Sequence, residues 1–351
     1  MFGKKVLSID FGSKNLKLVQ AKIANKNITI EKTEKIELPD GYITNGAIIN
    51  HAEVCELIKQ TILDKNLKAE YCNVTLNSSD ILTREIIVPS VNSEELNSML
   101  RYELEEYLPV NLDNYFIECK QIENIDDNDL KKQRVFVAVA PKVLVNKYIE
   151  LVKDIKLKPL VMDINTNAVS KLFIKENKCN KTKKANIDET CAIIDIGYSN
   201  MCVTVITNEA IQLSRLFEYG GNDLDVNIAN AFNFTIKQAE ELKHEGLINL
   251  LNEADRKIVD DINNNFINKI IEDINRIFRY YTNKNRGNQI DKLYICGGIS
   301  NLKGLAAYIS NSLELPVLKF DKLNSIRFNK KESFSSLECF VNAIGTLYRM
   351  E

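Results

Sequence analysis

The sequence predicts an α/β protein built from two related lobes, with a smaller insert in the first. Three observations carry this. An apolar strand ending in Asp-x-Gly occurs twice, about half a chain apart: IDFGSKN at 9–15 and IDIGYSN at 194–200. Each copy is followed by an alternating strand, LKLVQAKI (16–23) and MCVTVIT (201–207), as in an internal duplication. Segment 80–158 then interrupts the first half with its own helix and strand pattern.

The elements follow in order. Period-two alternation and turn residues mark first-lobe strands near 5–11, 16–24 and 27–37, a helix near 51–65 and a strand near 71–77. In the insert, Asn92 or Ser93 can cap a helix, with Glu95 completing a capping box. Leu96, Met99, Leu100, Leu104, Tyr107 and Leu108 give that helix an apolar face, and Pro109 stops it. Strands near 114–122 and 134–140 flank a polar tip, IDDNDLKKQ (125–133), and a helix near 142–155 follows. The second half repeats the meander near 190–196, 200–207 and 210–217, then helices near 221–231 and 236–244. Ile258, Val259, Ile262, Phe266, Ile270, Ile274, Ile277 and Tyr281 recur at helical spacing, so 255–285 reads as one long helix with a buried face.

Composition narrows the function classes. A length of 351 residues, 45% of them hydrophobic, supports two domains or lobes. The net charge of −2 and the lack of a dominant basic run give no bulk attraction for nucleic acid. The Lys-rich NKCNKTKKAN around Lys178–Lys184 reads as a solvated inter-lobe loop. No run approaches the ~20 apolar residues of a membrane span. MFGKKVLSIDFGS enters a structured motif without a signal-like apolar region, so the expected location is the cytosol. Eight cysteines without a C-x-x-C pair read as small, reduced residues. Two histidines, His51 and His244, are too few for a His-based metal site or a Ser-His-Asp triad.

The paired turns suggest phosphate chemistry. Glycine lets a turn approach a ligand closely, and turn amides can point at phosphate oxygens. Gly12 and Gly197 are such positions; Ser13, Lys14, Asn15, Ser199 and Asn200 would add donors. Asp10 and Asp195, at the strand ends, would serve a Mg²⁺ ion directly or through water. The alternative is two ordinary hairpins with solvent-exposed turns. A third element, DKLYICGGISNLKGLAAYISNSLELPV (291–317), runs a strand through Gly297, Gly298 and Ile299 into a helix. It suits close approach to adenine or the α-phosphate, or it is simply a tight strand-to-helix turn.

Together these pieces resemble the actin, hexokinase and chaperone ATPase superfamily, whose fold is actin-like (ribonuclease H-like). VLSIDFGSKNLKLVQ (6–20) is similar to its first phosphate motif, AIIDIGYSNMCVTVI (192–206) to the second, and LYICGGISNLKGL (293–305) to the adenosine motif. LVMDINTNAVSKLF (160–173) and CFVNAIGTLYR (339–349) resemble its two connecting helices. IKQAEELKHEG (236–246) resembles the AE-x-x-K segment of the FtsA, MreB and PilM branch. That likeness implies Glu240 at the ribose, Lys243 at the adenine edge, and Gly220 and Gly221 beside the phosphates. On residues alone, the same helix reads equally as an exposed charged face. REIIVPSVNSEEL and YELEEYLP, in the insert, closely resemble the PilM family of type IV pilus assembly proteins and its 1C subdomain. FtsA-like chains carry an amphipathic tail that is not expected here.

The resemblance implies a division into 1–79, 159–188 and 336–351 (first lobe), 80–158 (1C) and 189–335 (second lobe). It implies ATP and Mg²⁺ as cofactors. It also implies a PilN-like inner-membrane partner held by its cytoplasmic N-terminal peptide near Leu96, Leu100, Leu104, Tyr107 and Leu108. A link to the pilus motor ATPase and platform follows, with the protein at the cytoplasmic face of the membrane through its partners. ATPase activity is expected to be weak at most, since no catalytic residue stands out; Asp163 and Asn167 are the nearest candidates to orient a water. The rival readings are an FtsA- or MreB-like filament protein, a small-molecule kinase of the same fold and a GspL-like secretion protein.

Overall fold

The computed structural model describes residues 3–25, 27–108, 110–127, 130–180, 189–243, 251–285, 287–329 and 334–348. Pro109, His244 and most of the Lys-rich run lie outside these residues, and the side chain of Tyr107 is likewise outside the description.

The first lobe opens with the meander β1 (Lys4–Phe11), β2 (Asn15–Ala24) and β3 (Asn27–Glu37). A short hairpin, β4 (Ile43–Thr44) and β5 (Ala47–Ile48), leads to α1 (His51–Asp64) and β6 (Tyr71–Leu76). The insert contributes β7 (Leu82–Pro89), α2 (Ser93–Tyr107), β8 (Tyr115–Asp127) and β9 (Leu130–Pro141). The chain then returns through α3 (Lys142–Asp154), β10 (Lys158–Ile164) and α4 (Asn165–Asn180). The second lobe comprises β11 (Cys191–Ile196), β12 (Met201–Thr207), β13 (Ala210–Phe217), α5 (Gly221–Phe232), α6 (Ile236–Lys243) and α7 (Glu253–Lys284). It continues with β14 (Lys292–Cys296), α8 (Leu305–Leu313) and β15 (Val317–Lys319); β16 (Arg327–Phe328) and α9 (Val341–Gly345) end the described elements.

The duplication is visible in the sheets. The first has the order β10-β6-β1-β2-β3-β16, and the second β13-β12-β11-β14-β15. In each, the Asp-bearing strand pairs antiparallel with the next strand and parallel with a later one. β1 and β11 are therefore central strands whose C-terminal ends lie at corresponding places in the two lobes. β11 is buried along its whole length, as an apolar run between layers demands.

A shared core joins the lobes. Val169, Leu172 and Phe173 of α4 pack with Val341 and Ile344 of α9, and with residues of β1, β2 and β11. The two helices meet at Gly345, where any Cβ would collide with the Ala168 carbonyl. Only glycine permits this approach.

The insert is smaller than 80–158. Ile86, Val88, Leu100, Leu104, Val135, Val137 and Val139 form its own core, with α2 covering one face of the sheet β7-β9-β8. α3 instead packs into the first lobe through Leu144, Tyr148, Leu151 and Val152. Tyr148 lies edge-on to Phe11 with ring centres 4.9 Å apart and donates to the Gly46 carbonyl at 2.6 Å. β16, assigned by sequence to the second lobe, pairs with β3 of the first. β8 and β9 run longer than expected, because antiparallel pairing continues past Gln121, from the Glu123–Arg134 pair as far as Asp127 and Leu130.

Candidate functional site

The two Asp-x-Gly turns meet across the cleft between the lobes. Ser13 Oγ and Ser199 Oγ, one from each turn, lie 2.6 Å apart. Register sets what lies behind them. Asp10 stands opposite Lys17 in the β1–β2 ladder, and cross-strand partners share a face. Lys17 Nζ donates to Asp10 Oδ2 at 3.1 Å. Asp10 and Asp195 are both buried, at 2% and 8% exposure. Burial pulls Lys17 down, but the charges of Asp10 and Asp195 outweigh it and hold the ammonium above the ordinary lysine range. Burial pushes the Asp195 carboxyl up, the nearby Asp10 charge adds to the push, and a hydrogen bond from Asn342 opposes it. Lys17 thus pairs with Asp10 of its own lobe, and its charge also acts on Asp195 of the other.

The connecting helices finish the floor. Asn165, first residue of α4, accepts from Thr75 Oγ1 at 2.8 Å, and its amide lies 3.5 Å from Asp10 Oδ1. Asn342 of α9 donates to Asp195 Oδ2 at 2.7 Å, while its Oδ1 is buried without a partner. Gly297 follows β14 at φ +88°, and a Cβ there would sit 2.5 Å from Asp195 Oδ1, so the position requires glycine.

Of the expected residues, Asp10, Gly12, Ser13, Lys14, Asn15, Asp195, Gly197, Ser199, Asn200, Gly297 and Gly298 all line this cleft. The other five do not. Gly220 and Gly221 pack behind the second turn, where Gly221 N–H donates to the Gly197 carbonyl at 3.0 Å. Ile299 packs against the second-lobe core. Glu240 lies 3.3 Å from Lys14 Nζ, which also lies 3.4 Å from Glu37, so Lys14 bridges the lobes at the cleft mouth. Lys243 Nζ lies 2.5 Å from the buried Asp225.

Asp163 and Asn167 also fall elsewhere. Asp163 forms a buried ion pair with Lys171 at 2.5 Å and accepts from Asn167 at 2.8 Å, on a different side of α4 from Asn165. Sequence reading missed Lys17, Asn165 and Asn342. The available signal was a polar residue inside an otherwise apolar strand or helix, as in CFVNAIG.

The donors suit a triphosphate: the Lys17 ammonium and the paired turns, while the buried Asn342 Oδ1, an acceptor, suits a cation and not a phosphate oxygen. The cleft's present volume of about 100 Å³ is below the ~300–1,000 Å³ of ligand pockets. Among the described residues no group of three or more His, Cys, Asp or Glu converges on a metal position. A divalent ion would therefore depend on phosphate oxygens as well as on Asp10 and Asp195.

The face of α2 expected to meet a partner is internal. Leu100 and Leu104 are 0% and 2% exposed against the insert's sheet, and Leu96 and Leu108 pack at the edge of the same core. A helix on a lone three-stranded sheet must use its apolar stripe to cover that sheet. The sheet's other face is open. Phe116, Phe136, Ala138 and Ala140 overhang Leu144 and Ile149 of α3 and Met162 of β10, leaving a groove of about 540 Å³. Phe116 is 39% exposed there. Among the described residues no helix is long and apolar enough to cross a membrane.

A family model described as type IV pilus assembly protein PilM matches residues 8–345. The solved PilM-PilN type IV pilus biogenesis complex has a chain that superposes with a TM-score of 0.83 at 20% identity, over 97% of this chain and 97% of that one. The ethanolamine utilization protein EutJ from Carboxydothermus hydrogenoformans superposes with a TM-score of 0.57 at 11% identity, over 98% of this chain and 88% of that one. The fold is the two-lobed actin-like one.

Proposed function

The chain belongs to the PilM family of type IV pilus assembly proteins, and from that premise we propose that it acts as an ATP-dependent clamp on a PilN-like membrane partner. The observation that carries the reading is the pairing across the cleft: Ser13 against Ser199, with Lys17 bonded to Asp10 and its charge also felt by Asp195. A triphosphate in that position would touch both lobes at once. Lys17 and the turn amides would hold its oxygens, and Asp10 and Asp195 would hold Mg²⁺. The metal would supply neutralising charge to the phosphates.

Turnover is expected to be weak at most. Among the described residues, Asp10 and Asp195 are the only carboxylates lining the cleft, and Lys17 and Asn342 already engage them. Neither is left as a base for water.

The apolar groove under the insert's sheet is the proposed seat for the partner's cytoplasmic N-terminal segment. The segment joining β10 to α4 touches both sites: Asn165 lines the cleft, whereas Asp163 and Asn167 line the groove. Separation of the lobes would shift these residues together, and coupling of this kind amounts to about 5–150-fold in affinity. The clamp would join the platform to the cytoplasmic motor.

Calorimetric titration of a PilN N-terminal peptide, with and without Mg·AMPPNP, tests this. At least about a fivefold mutual change in affinity is expected, with peptide binding lost in Phe116→Glu. Equal affinities in both conditions would sink the clamp.

A further inference from the structure

Phe136 lines a second opening as well as the apolar groove. It borders a cleft of about 550 Å³ enclosed by β7 of the insert, β13 of the second lobe and the C-terminal part of α7. β7 is an edge strand of its sheet and so is β13 of its own. Edge strands present unpaired amides and carbonyls that can receive an extended chain.

The walls are basic. Arg84, Arg215, Arg276 and Lys284 line the cleft, with Glu85 as the only acidic lining residue among the described residues. The whole chain carries −2, so this concentration of positive charge is local. Arg215 is exposed and forms no ion pair among the described residues. Arg276 meets Asp273 through Nη1 alone, at 3.0 Å, and its side chain is 73% exposed. A guanidinium has five donors in a fork that fits carboxylates, so both arginines retain capacity.

Glu85 adds a second sign of a built site. Its Oε2 lies 2.7 Å from Lys284 Nζ and 3.6 Å from Arg134 Nη1, while its Oε1 is buried with no partner. An orphaned buried acceptor is costly, and a backbone N–H of an incoming strand would satisfy it. Tyr280, 54% exposed at the rim, offers an apolar surface with a polar tip.

The membrane partner is the wrong occupant. Cytoplasmic flanks of membrane spans are enriched in Lys and Arg, the same sign as these walls. We propose that this cleft binds an acidic, extended segment of a second, soluble protein partner.

Fluorescein-labelled hexaglutamate and hexalysine, titrated onto the intact chain by fluorescence polarisation, test this. Hexaglutamate is expected to bind and hexalysine not. Arg215→Glu with Arg276→Glu is expected to weaken hexaglutamate at least about tenfold, and salt raised from about 0.05 to 0.5 M to weaken it further. A melting curve and a far-UV circular dichroism spectrum confirm that the variant is folded. If it is not, Arg215→Gln alone is expected to weaken hexaglutamate and leave hexalysine unbound. Equal binding of both peptides, unchanged hexaglutamate affinity in the variant, or preference for a single-stranded oligonucleotide or anionic vesicles would overturn the proposal. None of these outcomes depends on the groove or the nucleotide, so their failure would be seen separately.

Discussion

Replacing Lys17 with methionine keeps the length of the side chain and removes the cation that pairs with buried Asp10 and acts on Asp195. With Nζ 3.1 Å from Asp10 Oδ2, Coulomb's law at an effective dielectric near 20 gives an attraction of about 5 kcal/mol. Desolvation of the ammonium offsets part of it, yet breaking a buried pair typically costs about 3–5 kcal/mol, because the partner charge is left uncompensated. The expected loss of stability at pH 7 is therefore about 3–5 kcal/mol. Its pH dependence has a definite sign. The Lys17 charge is one of the influences that lower the buried Asp195 carboxyl, so without it that carboxyl moves further upward; the variant's penalty is present above its folded value and fades as pH falls toward the ordinary carboxylate range near 4. Urea denaturation of parent and variant from pH 7 down to pH 4.5, followed by tryptophan-independent far-UV circular dichroism, reads this directly. A deficit under about 1 kcal/mol at pH 7, or one that grows on acidification, would refute this role for Lys17.

Other substitutions probe separate parts. Leu104→Ala empties a site at 2% exposure in the insert's core and should lower stability by about 2–5 kcal/mol; proteolysis should then cut first within 82–141. Gly345→Ala forces α9 away from Ala168 and should weaken Mg·ATP binding as well as stability, measured by calorimetry and melting. Ser13→Ala removes the hydrogen bond between the turns, worth about 0.5–1.5 kcal/mol. Nucleotide association, followed by stopped-flow with a fluorescent ATP analogue, should therefore speed up.

The duplicated strands were legible because β11 and β1 are apolar to their last turn and both end in the same Asp-x-Gly. That pattern put nine of the expected residues in one cleft, and the Gly297-Gly298 turn after β14 added two more. The charge partners were not legible. Lys17 looks like any alternate residue of a half-exposed strand until the register sets it against Asp10. Asn165 and Asn342 reach the cleft from helices far apart in sequence, which only tertiary packing reveals. Glu240 and Lys243 stand at helical spacing, yet near neighbours claim them: Lys14 and Asp225. The apolar stripe of α2 could not declare its target. Amphipathicity shows that a face is covered without saying by what, and here the insert's own strands cover Leu100 and Leu104. For the same reason α3, adjacent to the insert in sequence, packs with the first lobe.

The most direct measurement is Mg·ATP affinity by calorimetry in Asp10→Asn and in Asp195→Asn, each tested alone. If the two lobes grip one triphosphate, either change should weaken binding by about 10–100-fold, the scale of losing one group that supports a bound metal. Parent-like affinity in either variant would mean that one lobe takes no part, and the clamp would fall.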